Sequence, residues 1–174
     1  MQREHSRHSV FATDAGIKEY THIDIRPGMQ VVEVGPGLGA FSPWLAKNAK
    51  RFRIPPPIAI DCMDYVVVEA LLERALAQEL ADPVRAHAEG IRERMKILRS
   101  PAVRLYSMLL GFATKLEELA GKADIVVDIN GAISYAELEV PGVVAASGRG
   151  VDNVRELENM LLKPGGHLHT QDDK

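Results

Sequence analysis

The chain has 174 residues, 46% of them apolar and 26% charged, with a formal net charge of −3. That is enough for one domain with a sizeable core and too little for two, and the mild negative charge gives no global pull toward nucleic acid or an anionic membrane. No apolar stretch approaches the roughly 20 residues of a membrane span. The N-terminal MQREHSRHS has no apolar run behind its charges, so it does not read as a secretory signal. Cys62 is the single cysteine, which excludes an internal disulfide and suits a reducing cytoplasm. The expectation is a soluble, cytoplasmic, single-domain protein over residues 1–174.

Residues 1–25 form an N-terminal segment without clear periodicity. From there, apolar β-branched runs alternate with helical-period segments, the pattern of βα units on a mainly parallel sheet. Predicted strands are Gln30–Val34, Pro57–Ile60, Val103–Leu109, Ala123–Ile129 and Gly166–Thr170. The first, second and fourth are near-continuous Val/Ile runs, as expected for strands covered on both faces. The first helix is expected to start at Ser42 as N-cap, with Pro43 at the first helical position. Lys47, Lys50 and Arg51 suit its C-terminal end, and Arg53-Ile-Pro-Pro-Pro57 forces an extended connector. Residues 64–100 read as a helical hairpin. Its first helix carries Val68, Leu71, Leu72, Ala75, Leu76 and Leu80, and its second Val84, Ala88, Ile91, Met95 and Leu98. Two helices exceed what a parallel crossover needs, so the second is expected to be an elaboration, with Arg85, Arg92, Lys96 and Arg99 on a solvated outer face.

The chemistry concentrates in VVEVGPGLG, residues 31–39. A buried strand that ends in Gly35, Gly37 and Gly39 before a helix lets the backbone turn sharply and approach a ligand closely. Backbone N–H groups and a helix N-terminus then face something electron-rich. A dinucleotide and S-adenosylmethionine both fit, since Gly35, Gly37 and Ala40 also satisfy the short dinucleotide fingerprint. Glu33 tilts the choice. A carboxylate at the strand's carboxyl end repels pyrophosphate but suits the ammonium of a zwitterion.

Glu33-Val-Gly35-Pro36-Gly37-Leu-Gly39 resembles motif I of the class I S-adenosylmethionine-dependent methyltransferases. Ile58-Ala-Ile60-Asp61 resembles that family's second strand with its ribose-binding acid, Ala123–Asp128 its fourth strand, and Leu161-Leu-Lys-Pro-Gly165-Gly166 the turn into the fifth. The resemblance implies a methyltransferase with a Rossmann-like, mainly parallel α/β sheet flanked by helices. Here that sheet carries an extra hairpin between strands 2 and 3 and lacks the usual C-terminal strands, which would leave the fifth strand as an exposed edge. It also implies S-adenosylmethionine as cofactor, bound by Glu33, Gly35, Pro36, Gly37, Gly39, Asp61 and Asp128. Cys62 would border the adenine, and Phe112 stands where the family often has an acid. The competing use of Asp61 is as a helix cap. Phe41, Trp44 and Tyr135 are aromatic candidates beside a sulfonium, with core packing the better reading of each.

The acceptor is harder to read. Motif I is also similar to that of the ribosomal RNA adenine dimethyltransferases, but their Asn-x-Pro-Tyr/Phe stretch is replaced by Asn130-Gly-Ala-Ile. Asp128 and Glu137 only loosely match the paired glutamates of the protein arginine methyltransferases. No catalytic residue stands out, and a small-molecule acceptor is expected ahead of protein or RNA. The exposed edge or the hairpin offers a surface for a homodimer. Other readings are a non-catalytic binder or assembly protein and an NAD-binding oxidoreductase. His5/His8 and His167/His169 lack the company of a zinc site, so no metal is expected.

Overall fold

The computed structural model describes residues 9–11, 21–129, 131–137 and 150–170. Seven strands are present among them, two in an N-terminal ribbon and five in a central sheet. The ribbon pairs β1 (Ser9–Phe11) with β2 (Thr21–Asp24) antiparallel, an element without a periodic signature in the sequence. The central sheet contains β3 (Val31–Val34), β4 (Ile58–Asp61), β5 (Arg104–Ser107), β6 (Ala123–Asp128) and β7 (Leu162–Thr170). Its order is β5-β4-β3-β6-β7 and every pairing is parallel. The order reverses at β3, which places a crevice at the carboxyl ends of β3 and its neighbours.

Alternation along the central strands builds a core on each face. Val31, Ile125 and Val127 pack with Ile23, Ile25, Phe41 and Leu45 on one side, and Val32, Val34, Ile60 and Val126 with Leu119 and Leu161 on the other. The first side is covered by α1 (Phe41–Phe52) and α3 (Asp82–Leu98). The second carries α4 (Leu110–Ala113) and α6 (Gly150–Leu161), with α5 (Ala132–Glu137) against α6. Ile23 of β2 and Ile25 just after it tie this part of the chain into the core. No described helix is long and apolar enough to cross a membrane.

Helix α1 begins one residue before Ser42, and its N-cap is Ala40, which makes no side-chain cap bond. Its C-terminal end is closed by Arg53 in the left-handed region, φ 57°, with Lys50 and Arg51 in the last turn.

The hairpin is present, with its two helices in the reverse of the expected roles. Helix α3 is the crossover: Ile91, Met95 and Leu98 pack on Ala59 of β4 and on Val103. The outer helix is α2 (Tyr65–Leu76), whose Tyr65 and Leu76 are buried while Val66, Val67 and Leu71 are exposed. The arginines of α3 are not merely solvated. Arg92 and Arg99 pair with Glu73 and Glu69 of α2, and Arg85 donates to the carbonyls of Leu76 and Gln78. Charge therefore adds to the apolar contacts of Tyr65, Val68 and Leu72 in fastening α2.

Strand β7 is an edge of the sheet. Its register jumps from Ala123↔Leu162 to Ile125↔His167, so the Lys-Pro-Gly-Gly stretch bulges out and only the last residues continue the ladder. Gly165 takes φ 81°, and Lys163 closes the bulge by pairing with Asp124.

Met95→Ala should cost about 2–5 kcal/mol, because Met95 is 1% exposed between α3 and the sheet. A shift in the denaturant midpoint near that of a surface variant such as Glu89→Ala would show that α3 is dispensable to the core.

Candidate functional site

The candidate site lies at the carboxyl ends of β3, β4 and β6, where three loops converge. The first is the glycine turn after β3. Gly35, Gly37 and Gly39 all take positive φ, 68°, 53° and 70°. Each spends its N–H inside the protein, on the Ile60 carbonyl (2.8 Å), the Asp61 carboxylate (2.9 Å) and the Pro36 carbonyl (2.9 Å) respectively. The turn therefore offers shape rather than these three donors. A Cβ on Gly37 would meet nothing within 4 Å, so the space above it is open. On Gly39 it would touch Leu98 and Pro43, which seat the turn against α3 and α1. Pro36 is buried, and exposed Leu38 accepts a long bond from Arg94, 3.5 Å, through its carbonyl.

Glu33 sits beneath this turn at 3% exposure. Its Oε2 accepts the Ser42 N–H at 2.9 Å, so the strand's carboxylate satisfies an orphan donor in the first turn of α1. The Ser42 hydroxyl makes no cap bond, so Glu33 serves this turn in place of the N-cap expected of Ser42.

Asp61 ends β4 beside the turn. Its Oδ2 accepts from the Gly37 N–H and from the Tyr65 hydroxyl, each at 2.9 Å, and its Oδ1 from the Met63 N–H at 2.9 Å. The capping role belongs instead to Asp64, whose Oδ1 takes the Val66 and Val67 N–H groups at 3.0 and 3.2 Å. Tyr65 is 2% exposed, and burial together with the Asp61 charge holds its phenol protonated well above the usual range. Cys62 lies exposed at the rim. Partial burial of the thiol, and then the neighbouring Asp61, raise its pKa, the opposite of what a nucleophile needs. Phe112, on α4, is 61% exposed, a large apolar face at the same end of the sheet.

The third loop follows β6. Asp128 is 1% exposed, and its two oxygens accept the Gly131 and Ile133 N–H groups, both at 2.9 Å. It faces its own loop rather than open space. The loop is pressed against the glycine turn: a Cβ on Gly35 would come within 2.6 Å of the Gly131 Cα, and one on Gly131 would collide with the Val34 carbonyl. Behind Asp128 lies Glu158 of α6, fully buried, whose oxygens meet no N–H or O–H donor among the described residues. Burial, and then the adjacent Asp128 carboxylate, push its pKa up to about 10 against a weaker opposing pull from Arg155. Glu158 thus keeps its proton and can donate it toward Asp128.

Phe41 and Trp44 stack with centroids 6.3 Å apart, and Phe41 is fully buried in the core, so packing is their role. Asn130, His5 and His8, and the side chains of Tyr135 and Glu137, lie outside the described residues. The His167 and His169 rings are 6.2 Å apart. Among the described residues no group of three or more His, Cys, Asp or Glu is placed to hold a metal. The site thus unites Gly35, Gly37, Gly39, Asp61 and Cys62 around one opening. Glu33 and Asp128 are set below it as supports. Tyr65 and Glu158 were not expected. Glu158 had a signal, an acid in line with Val151, Val154 and Leu161 on one helical face.

A parallel β5-β4-β3-β6-β7 sheet with a glycine turn after its central strand and an acid after the next is a Rossmann-like α/β arrangement. Curated proteins to which the chain is similar carry methyltransferase names. The chain is 29% identical over 106 residues to a protein named ribosomal RNA small subunit methyltransferase A from Staphylococcus carnosus, a match covering 57% of this chain and 35% of that protein. It is 33% identical over 92 residues to the proteins of that name from two strains of Staphylococcus epidermidis, covering 49% of this chain and 30% of theirs. The chain thus spans about a third of the length of these relatives. No family model matches it. The relatives' names place their acceptor on ribosomal RNA, which overturns the expectation that a small molecule leads as acceptor and leaves the homodimer suggestion without support.

Two outcomes follow from this geometry. Gly131→Ala should destabilise the fold by about 1–3 kcal/mol through overpacking against β3, read as a fall in Tm. An unchanged Tm would show that the two loops are not in contact. For Glu158, the folded chain holds a proton that the unfolded chain releases between the ordinary 4.5 and about 10. Stability should therefore fall as pH rises through that window, by up to about 1.4 kcal/mol per unit. Glu158→Gln removes the titration, so its unfolding free energy should gain on the parent's from pH 5 to 9. Parallel curves would refute the protonated acid.

Proposed function

We propose that this chain is the S-adenosylmethionine-binding domain of a methyltransferase that acts on ribosomal RNA. The observation that carries the reading is the bond from the Gly37 N–H to Asp61 Oδ2, 2.9 Å, which makes the glycine turn and the ribose-reading acid one rigid unit. The residues fit the cofactor. Open space lies above Gly37, Asp61 keeps acceptor capacity on Oδ1, and the exposed face of Phe112 suits an adenine ring. S-adenosylmethionine supplies an electrophilic methyl group on its sulfonium.

In this reading the chain's own work is binding and alignment. Gly35 and Gly37 let the backbone approach the cofactor, Pro36 stiffens the turn, and Gly39 seats it on α3. Glu33 holds the first turn of α1 and lends negative charge beneath the methionine end. Cys62 and Phe112 border the adenine. Asp128 fixes the loop that begins at residue 130, where the acceptor would enter. The names of the relatives support RNA as that acceptor. Residues 1–174 act as one domain in which the hairpin of residues 64–100 supplies both the crossover and an outer helix.

Millimolar S-adenosylmethionine or S-adenosylhomocysteine should raise the Tm by roughly 2–5 °C, and Asp61→Asn should abolish most of the shift. No shift with either compound sinks the cofactor reading. Incubation with methyl-labelled S-adenosylmethionine and small-subunit ribosomal RNA should label the RNA. Binding without labelling would leave the cofactor site standing and remove the RNA.

A further inference from the structure

The lone pairs of Asp61 are nearly all in use. An ionised carboxylate offers about four acceptor positions, two on each oxygen. On Oδ2 both are taken, one by the Gly37 N–H and one by the Tyr65 hydroxyl, each at 2.9 Å. On Oδ1 one is taken by the Met63 N–H at 2.9 Å. The Tyr65 oxygen also lies 2.9 Å from the Gly37 carbonyl. A phenol has a single proton, and the charged acceptor binds it more strongly. Tyr65 is not free to leave. It is buried in the first turn of α2, packed among Ala59, Met95 and Leu98, and Asp64 caps that turn.

A ribose presents two adjacent hydroxyl donors, and a carboxylate commonly receives one on each oxygen. Here one position remains, on Oδ1. We infer that Tyr65 is a specificity-determining residue that restricts Asp61 to one of the two ribose hydroxyls, so that the site reads the diol asymmetrically. This inference rests on the cofactor reading above, and it concerns Tyr65 rather than the acid itself. The hydroxyl left over faces Oδ2 without an acceptor there and contributes little. Burial and the Asp61 charge keep the Tyr65 proton in place throughout the physiological range, so the restriction does not switch with pH.

The test is calorimetric titration of the whole chain with S-adenosylhomocysteine and with its 2′-deoxy and 3′-deoxy analogues. Loss of one hydroxyl should weaken binding roughly tenfold or more, the worth of a hydrogen bond to a charged group, and loss of the other less than about twofold. In Tyr65→Phe, Oδ2 regains a free position. Both deoxy analogues should then bind roughly tenfold more weakly than the parent compound, which a merely structural tyrosine would not bring about. Equal losses in the parent protein, or an asymmetry that survives Tyr65→Phe, overturn the inference while leaving the cofactor reading intact. If the variant fails to fold, equal losses for the two analogues in the parent protein still overturn the inference. If S-adenosylhomocysteine itself does not bind at millimolar concentration, the cofactor reading falls and takes this inference with it.

Discussion

The ends of β3 and β6 approach so closely that neither Gly35 nor Gly131 has room for a side chain. The other features of the site are arranged around that contact. At that contact Gly35 takes positive φ and begins the turn that rises over the sheet. It also sets the height of the loop after β6, which Asp128 then secures with two backbone bonds. Glu158 lies beside Asp128 on the face of the sheet that α6 covers, in line with the apolar Val154 and Leu161 of that helix. A backbone contact on one side of the loop and a buried acid pair on the other leave the loop little freedom.

Two carboxylates near the glycine turn have ended in different environments, and environment determines what each can do. Glu33 is enclosed between β3 and α1, where it meets an N–H of the helix's first turn. Its charge counters the positive end of that helix, so the helix end has less attraction left for an external anion. Asp61 lies half-buried at the opening, bonded to both the turn and α2. Only the second combines a fixed position with an acceptor still available. In the proposed reading, it is this acceptor that a sugar hydroxyl would use.

Much of this was legible in the sequence because burial on both faces writes itself as Val and Ile runs. All five central strands fall within a few residues of the expected ones, and the hairpin was visible from its 3.6-residue period. Other features left weaker traces. Strands β1 and β2 are only three and four residues long, too short for alternation to show. Which hairpin helix faces the sheet was misjudged because α2 is the more apolar in composition, yet it exposes Val66, Val67 and Leu71. The Ser42-Pro43 pair imitates a helix start, whereas the helix begins at Phe41 and the Ser42 N–H is met by Glu33 from nine positions earlier. Tyr65 was hidden for a related reason. An aromatic at the start of an amphipathic helix reads as core, and its hydroxyl bond to Asp61 exists only once β4 and α2 are in place.

Helix α2 is fastened to the rest of the molecule by an apolar stripe of Tyr65, Val68, Leu72 and Leu76 and, outside it, by a row of arginines on α3. Partly exposed ion pairs weaken as dissolved ions shorten the range of charge, to about 10 Å at 0.1 M. Ionic strength therefore acts on α2 before it acts on the sheet, whose cohesion is apolar. The first turn, with Tyr65 packed among Ala59, Met95 and Leu98, lies in the apolar part of that seam, so dissolved ions act on the turns of Glu69 and Glu73 rather than on the Asp61 contact.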